Sequence, residues 1–336
     1  MAVMGSAVAS PPGSDAFALD LEDHRRELTA YCYRMLGAGS EAEDAVQETF
    51  LRAWRGRDGF EGRASLRSWL YTIATNVCLD MPRRQQRRAR PMDLAGPSTV
   101  QTARLHELPE SRWVQPIADA RIGLDDAGAG DPAELAALRD SVRLAFVAAL
   151  QTLPARQRAV LILRDVLHWR AAEVAGLLET SVASVNSALQ RARATLQDGR
   201  AAHDERDLDG DDAELLARYA DTFERYDIDS FVMLLREDAV SAMPPHDPWI
   251  TGRGDIRDWM LGPGIECRGG RLVATRANGS PAFASYRVDP AGGWSAWSLQ
   301  VVEIKDGQVI TIHNYLNTEL LPEFGLPMHL NPEDPT

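Results

Sequence analysis

Apolar positions recur at helical spacing through the first two-thirds of the chain and alternate in strand-like runs through the last third. From Phe17 to Arg90 the spacing is heptad-like with few breakers, which predicts a helical bundle. Within it, AEDAVQETFLRAW sets Asp44, Gln47 and Glu48 on one face and leaves Ala45, Phe50, Leu51 and Trp54 for the core. Residues 91–132 lose the period and are rich in Pro, Gly, Ala and Asp (PMDLAGPSTV, DDAGAGDP), predicting a flexible or extended linker. Helical spacing returns over 133–200, with Val160, Leu161, Leu163 and Leu167, then a short amphipathic helix from Ala171 to Leu178. Glu179 and Thr180 make a tight turn, and Ser181 is a natural N-cap for a second helix reaching about Leu196.

A polar joint, AAHDERDLDGDD (201–212), precedes a change of character. A helix is predicted over Ala213–Tyr226 and a short one over Ile228–Arg236. The runs RLVATRANG, PAFASYRVD, SAWSLQVVEIKDG and QVITIHNYL then read as strands, with Asp306-Gly307 as a hairpin turn. The expected fold class is multidomain: two all-α units, then an α+β unit over 213–330. Residues 1–16 carry no positive charge ahead of their apolar residues, so they read as a disordered leader rather than a signal peptide.

The helix–turn–helix at 171–196 is the strongest chemical signal. Its second helix begins with small polar residues (Ser181, Ser184, Asn186, Ser187) and ends with Arg191 and Arg193. Compact hydrogen-bonding groups suit base edges, and guanidinium groups suit phosphates. The net charge of -13 over 336 residues opposes nucleic-acid binding if spread evenly. Its distribution removes most of the conflict: residues 1–204 hold 25 Arg/Lys against 26 Asp/Glu, whereas 205–336 hold 11 against 23. Arg83, Arg84, Arg87, Arg88 and Arg90 also fall within eight residues free of acid, which we read as a phosphate-contacting patch. Trp69 and Tyr71 lie upstream of that cluster, and aromatics beside basic groups suit single-strand capture, although Trp69, Leu70 and Ile73 also fit a core. Three scattered cysteines, Cys32, Cys78 and Cys267, with no CxxC spacing, argue against a disulfide framework or a metal site and fit a reduced cytoplasm. No apolar run is long enough for a membrane span.

At this point the residues resemble a family. DAVQETFLRAW is similar to region 2.2 of extracytoplasmic-function sigma factors, in the sigma-70 family of bacterial initiation factors. FEGRASLRSWLYTIATNVCLDMPRR resembles regions 2.3 and 2.4, and LPARQRAVLILRDVLHWRAAEVAGLLETSVASVNSALQRARATL resembles region 4. The resemblance implies that Asp44, Gln47 and Glu48 dock on the β′ clamp helices of core RNA polymerase, with the β flap as a second contact. It implies that the Asp58–Ser65 loop holds a flipped base of the −10 element. Arg63, Asn76, Asp80, Arg83, Arg84 and Arg87 would face that element, with Trp69 supporting the helix. It further implies that Ser181, Ser184 and Ser187 approach −35 bases while Arg170, Arg191 and Arg193 hold phosphates. Promoter DNA and core polymerase are the implied partners, an anti-sigma regulator a further one, and no cofactor or metal is expected.

Residues 213–330 resemble a SnoaL-like domain, a cone-shaped sheet wrapped on helices around a pocket, on the strength of ITGRGDIRDWM and RANGSPAFASY. The implied pocket residues are His246, Trp249, Trp259 and His313. A His–Asp pair is the acid/base device of catalytic relatives, but His246 and Asp247 are adjacent in a Pro-rich loop and seldom would face one cavity, so no catalytic residue is expected. Trp249, Trp259, Trp294 and Trp297 read as core or rim. An unknown small ligand, or packing alone, fits the pocket better, with the domain acting on the sigma half in cis. The competing reading is a ligand-sensing or enzyme-like domain fused to a plain DNA-binding module. Asp44, Gln47 and Glu48 separate the two, because a plain repressor has no use for a clamp-docking helix.

Overall fold

The computed structural model describes residues 14–60, 65–81, 87–125, 132–199 and 212–333. Helix α1 (Ser14–Asp23) already includes the last residues of the expected leader, and α2 (Arg25–Leu36), α3 (Gly39–Gly56) and α4 (Leu66–Asp80) complete the first bundle. Gly37 ends α2 in the left-handed region (φ 76°), a conformation that costs glycine nothing, and its N–H bonds to Tyr33 O. Ser65 caps α4 by accepting from Ser68 N at 3.2 Å.

The second helical unit contains α5 (Pro132–Asp140), α6 (Leu144–Leu150), α7 (Ala155–Leu161) with a π turn over Ile162–Val166, α8 (Ala171–Leu177) and α9 (Val182–Gly199). The predicted turn is present: Glu179 takes φ 49°, and Ser181 Oγ accepts from Ser184 N at 3.1 Å to cap α9.

The last unit opens with α10 (Ala213–Glu224) and α11 (Ile228–Met233), followed by β1 (Leu235–Ala242), β2 (Trp249–Thr251) and α12 (Arg253–Leu261). Four long strands come next, β3 (Arg271–Ala277), β4 (Ser280–Val288), β5 (Trp294–Lys305) and β6 (Gln308–Tyr315), with a short β7 (His329–Leu330). The sheet order is β2-β1-β6-β5-β4-β3, with β7 on β5, and β1 runs parallel to β6 while its other neighbours are antiparallel. This is the expected α+β arrangement, a cone-shaped sheet on helices. Asp306 and Gly307 take φ 53° and 68° in the β5–β6 turn, as a type I′ hairpin requires. The second short helix stops at Met233, three residues before its expected end. The sequence LREDAVSA hides β1 behind three consecutive charged residues, and its pairing with β6 makes it a strand.

Both faces of this sheet are covered. Leu272, Phe283, Val302, Ile304 and Ile312 face inward, onto Tyr219, Phe223 and Phe231. Ala282, Ala284, Tyr286, Leu299, Val301 and Tyr315 face outward and join one apolar cluster with α2, α3, α4, α7 and α9. That cluster runs from Leu21 to Leu330, so the sigma-like half and the cone share a core. Two-sided burial explains why the first seven residues of β4 are all buried instead of alternating.

The segment expected as a flexible or extended linker is extended, a strap bonded to the cone at several positions. Trp249 Nε1 donates to Ala95 O (2.8 Å), Ser98 N to Trp249 O (2.8 Å), Asp247 N to His106 O (3.1 Å) and Leu108 N to Pro245 O (2.9 Å). Trp113 Nε1 donates to Pro245 O (3.1 Å), and Tyr315 Oη to Val114 O (3.1 Å). Short 3-10 turns at 91–93, 110–112 and 119–122 supply the bends. Proline content removed the helical period, but the backbone donors and acceptors found partners in the cone.

Candidate nucleic-acid interface

Three surfaces carry the predicted chemistry. On α3, Asp44 and Gln47 are exposed, and Glu48 is half-buried and paired with Arg52 (2.7 Å). Ala45 and Phe50 enter the core as expected, but Leu51 is 45% exposed and Trp54 36%. Leu51 lies one and two turns from Gln47 and Asp44 on the same face, so an apolar residue stands in the acid-and-amide stripe. Helical periodicity could not decide which apolar positions face inward, since Leu51 satisfies it equally from either side. Trp54 is covered partly by Phe17 (6.0 Å between centroids) and by the Arg57 guanidinium (4.5 Å).

On α4, Asn76 and Asp80 are exposed one turn apart, and Asp80 meets Arg52 at 3.3 Å. Trp69 stacks on Phe60 with centroids 4.8 Å apart, which makes it a support for the preceding loop. Tyr71 is fully buried against Tyr31 and Trp169, so it is unavailable to bases. Arg63, Arg83 and Arg84 lie outside the described residues. Arg87 is exposed, but the patch does not extend further: Arg88 and Arg90 are buried. Arg88 bonds Glu41 (2.6 Å) and Trp113 O (2.8 Å), and Arg90 bonds Asp93 (3.1 Å). These two guanidinium groups fasten the start of the strap instead of contacting phosphate.

On α9, Ser181, Ser184, Ser187 and Arg191 are exposed. Ser181 Oγ is engaged in the helix cap and with Ser184 Oγ (3.0 Å). Val182, not singled out by the sequence, is 44% exposed between them. Arg170 is exposed and pairs with Glu173 (2.9 Å), and Arg193 makes a bidentate pair with Asp165 (2.7 and 2.8 Å) that raises its pKa further.

The two helical units are in contact. Trp169, which leads into α8, packs on Tyr71 of α4 with centroids 5.0 Å apart, and Arg67 lies over the same indole. Gln151 Nε2 donates to Arg34 O (3.2 Å), and Arg158 donates to Met35 O. The β3–β4 hairpin is inserted at this junction. Asn278, fully buried at φ 57°, accepts from Ile117 N (3.0 Å) and donates to Tyr33 Oη and Val142 O (both 2.7 Å). One side chain thus joins α2, the strap, the turn before α6 and the cone. Asp119 beside it accepts from Gly279 N (2.8 Å) and Arg276 (3.1 Å). Burial pushes its carboxyl up, against those bonds.

Of the four predicted pocket residues only Trp259 lines the cavity inside the cone. His246 lies in the loop that bonds the strap, bridged to Glu107, and Trp249 holds Ala95 and Ser98 there. His313 faces outward, fully buried, 3.6 Å from Glu303. Burial alone would raise the Glu303 carboxyl; the His313 imidazole, the Arg90 guanidinium and Thr311 outweigh it and hold the group at about 2. A one-residue change of phase along β6 separates His313 from the inward Ile312 and Asn314, and the sequence does not mark that phase. No group of residues suited to a metal occurs among the described residues.

One chain thus joins a helix with an exposed acid-and-amide stripe, a second helix with exposed Asn76 and Asp80, and a helix–turn–helix. The Sigma-70 region 2 model matches residues 21–88 and the Sigma-70 region 4 model residues 143–196. The chain is 44% identical over 316 residues to the ECF RNA polymerase sigma factor SigG of Mycobacterium tuberculosis, covering 93% of this chain and 84% of that one. A probable ECF sigma factor, SigI of the same organism, is 24% identical over 86% of this chain and 89% of its own. The crystal structure of M. tuberculosis SigJ shares the fold, with a TM-score of 0.57 and 24% identity over 93% of this chain and 99% of that one. The chain belongs to the ECF RNA polymerase sigma factors. It directs promoter-specific initiation by RNA polymerase and carries an α+β domain at its C-terminal end.

Proposed function

We propose that the structure is the closed state of this sigma factor, with the polymerase-docking face open and promoter reading blocked by the cone. Asp44, Gln47 and Glu48, extended by Leu51, form the clamp-docking stripe, and nothing in the cone covers Asp44, Gln47 or Leu51. Arg63, Asn76, Asp80, Arg83, Arg84 and Arg87 serve the −10 strand. Ser184, Ser187, Arg170, Arg191 and Arg193 serve the −35 duplex, with Val182 placed for a thymine methyl.

The observation that carries the closed-state reading is the Tyr71–Trp169 contact at 5.0 Å. The −10 and −35 elements are, by their names, about 25 base pairs apart, roughly 85 Å at 3.4 Å per pair. Helix α9 has 18 residues, about 27 Å of helix, and begins a dozen residues beyond Trp169. Two units in direct contact cannot span both elements, so α8–α9 must part from α4. The cone opposes this through the shared core and Asn278. Its acidity also repels nonspecific DNA, an effect that salt weakens. The reading places the protein in the cytoplasm with the polymerase, and it acts without a chemical step of its own.

The test is energy transfer between fluorophores at Arg55 and Gln190, both exposed, during run-off transcription. Efficiency is expected to fall when core polymerase and promoter are added. Specific transcripts with unchanged efficiency would sink the closed-state reading.

A further inference from the structure

The cone encloses a cavity of about 190 Å³. A cavity of roughly 150 Å³ accepts benzene, and drug-sized sites start at about 300 Å³, so the space fits one or two fused rings. Its walls are flat and apolar, supplied by Phe223, Phe231, Trp259, Trp297 and Ile312. Polar side chains interrupt them, among them Ser241, Ser298 and the Glu266–Arg287 ion pair (2.6 Å), and two are direct cross-strand partners: Gln300 on β5 and Asn314 on β6. Direct partners place their Cβ atoms about 5 Å apart on one face.

Their free atoms are complementary in kind. Gln300 is 4% exposed; its Oε1 accepts from Tyr219 Oη at 2.8 Å, and its Nε2 donates to no group among the described residues. Asn314 is the reverse. Its Nδ2 donates to Ser241 Oγ and Ala242 O, both at 3.2 Å, which leaves Oδ1 without a donor among the described residues. An amide donor and an amide acceptor thus stand side by side on one face of the sheet, neither with a partner among the described residues. A ligand that completes both bonds is favoured over one that completes neither.

We infer that the cavity is a binding site for a planar bicyclic lactam, or a ring with the same edge, in which a carbonyl and an N–H are adjacent. The carbonyl accepts from Gln300 Nε2, the N–H donates to Asn314 Oδ1, and the rings lie against Trp259 and Phe231. Leu105 of the strap closes part of the mouth. An occupant therefore touches the same strap that runs on to Ile117 and Asn278, so binding is coupled to the junction between the two DNA-reading units. This inference stands apart from the closed-state reading, since it concerns binding and not initiation.

The experiment is calorimetry on the full chain with 2-quinolinone, N-methyl-2-quinolinone and naphthalene. Binding of 2-quinolinone is expected at least about tenfold tighter than binding of the N-methyl compound, because methylation orphans Asn314 Oδ1. Gln300→Met should remove about the same factor from 2-quinolinone and leave naphthalene unchanged. Hydrogen exchange at the Leu108 amide, bonded to Pro245 O, should slow with 2-quinolinone bound. Equal affinity for all three compounds would reduce the site to a nonspecific apolar void, and no binding at the solubility limit of 2-quinolinone would also overturn the inference. The ligand series decides the matter even where Gln300→Met does not fold.

Discussion

Replacing Asn278 by alanine tests the junction directly. The substitution removes three side-chain hydrogen bonds and leaves the Ile117 N–H and the Val142 carbonyl without those partners in a fully buried position. Tyr33 keeps its bond to Gln115 O (2.7 Å), so its hydroxyl is not orphaned. Two buried backbone groups cost about 1–3 kcal/mol each when left unmade. Alanine at φ 57° adds roughly 1 kcal/mol beyond what asparagine tolerates. The docking of the cone should therefore weaken by about 3–7 kcal/mol, or between two and five orders of magnitude in the closed-to-open ratio. Asn278→Gly separates the two contributions, because glycine accepts the positive φ while losing the same bonds. The assay is hydrogen exchange at the Ile117 and Asn278 amides, which bond each other across the junction, followed by run-off transcription with core polymerase. Both variants should exchange far faster there, with the cone interior unchanged, and both should initiate more strongly than the parent. Exchange within about threefold of the parent in a folded Asn278→Gly protein would refute the assignment of the junction to this side chain.

Other outcomes follow from the same geometry. Alanine at Asp44, Gln47 and Glu48 together should abolish binding to core polymerase without moving the thermal midpoint, since all three are at the surface; unchanged affinity in a pull-down would remove them from the docking face. Asp165→Asn should strengthen −35 duplex binding about two- to fivefold at low salt by releasing Arg193, with the gain shrinking as salt rises in a fluorescence-anisotropy titration. Arg191→Ala should lower the slope of log affinity against log salt by about one. Glu303 is held below its ordinary 4.5, at about 2, so its ionised form stabilises the fold above pH 4.5 and that contribution is lost as pH falls toward 2. The difference in thermal midpoint between the parent and Glu303→Gln should accordingly shrink as pH falls below about 4.5; a difference unchanged over that range would contradict the role given to Arg90 and His313.

Much was legible in the chain because the relevant physics is local. The Ser181 cap, the left-handed Glu179 and the small polar start of α9 are consequences of neighbouring residues, so the helix–turn–helix could be drawn to within a few residues. The same holds for the Asp306-Gly307 hairpin and the four long strands. The exposed stripe on α3 follows from helical period for its polar members, though not for Leu51, whose exposure depends on what packs opposite.

What the tertiary structure decided are matters of partnership. Proline and glycine at 91–125 forbid a long helix, and that is local; whether the freed backbone groups bond water or protein is not, and here they bond the cone. Arg88 and Arg90 carry the same charge as their exposed neighbour Arg87, yet Glu41 and Asp93 draw them inside. His246, Trp249 and His313 belong to the right domain but to the outer face of its sheet and its rim, because strand phase and loop direction, not residue type, choose the face. Asn278 looks like an ordinary turn residue in RANGSP. Only the packing of three distant segments around it turns one amide into the joint between the sigma units and the cone, since hydrogen bonds between segments more than a hundred residues apart leave no period in the chain.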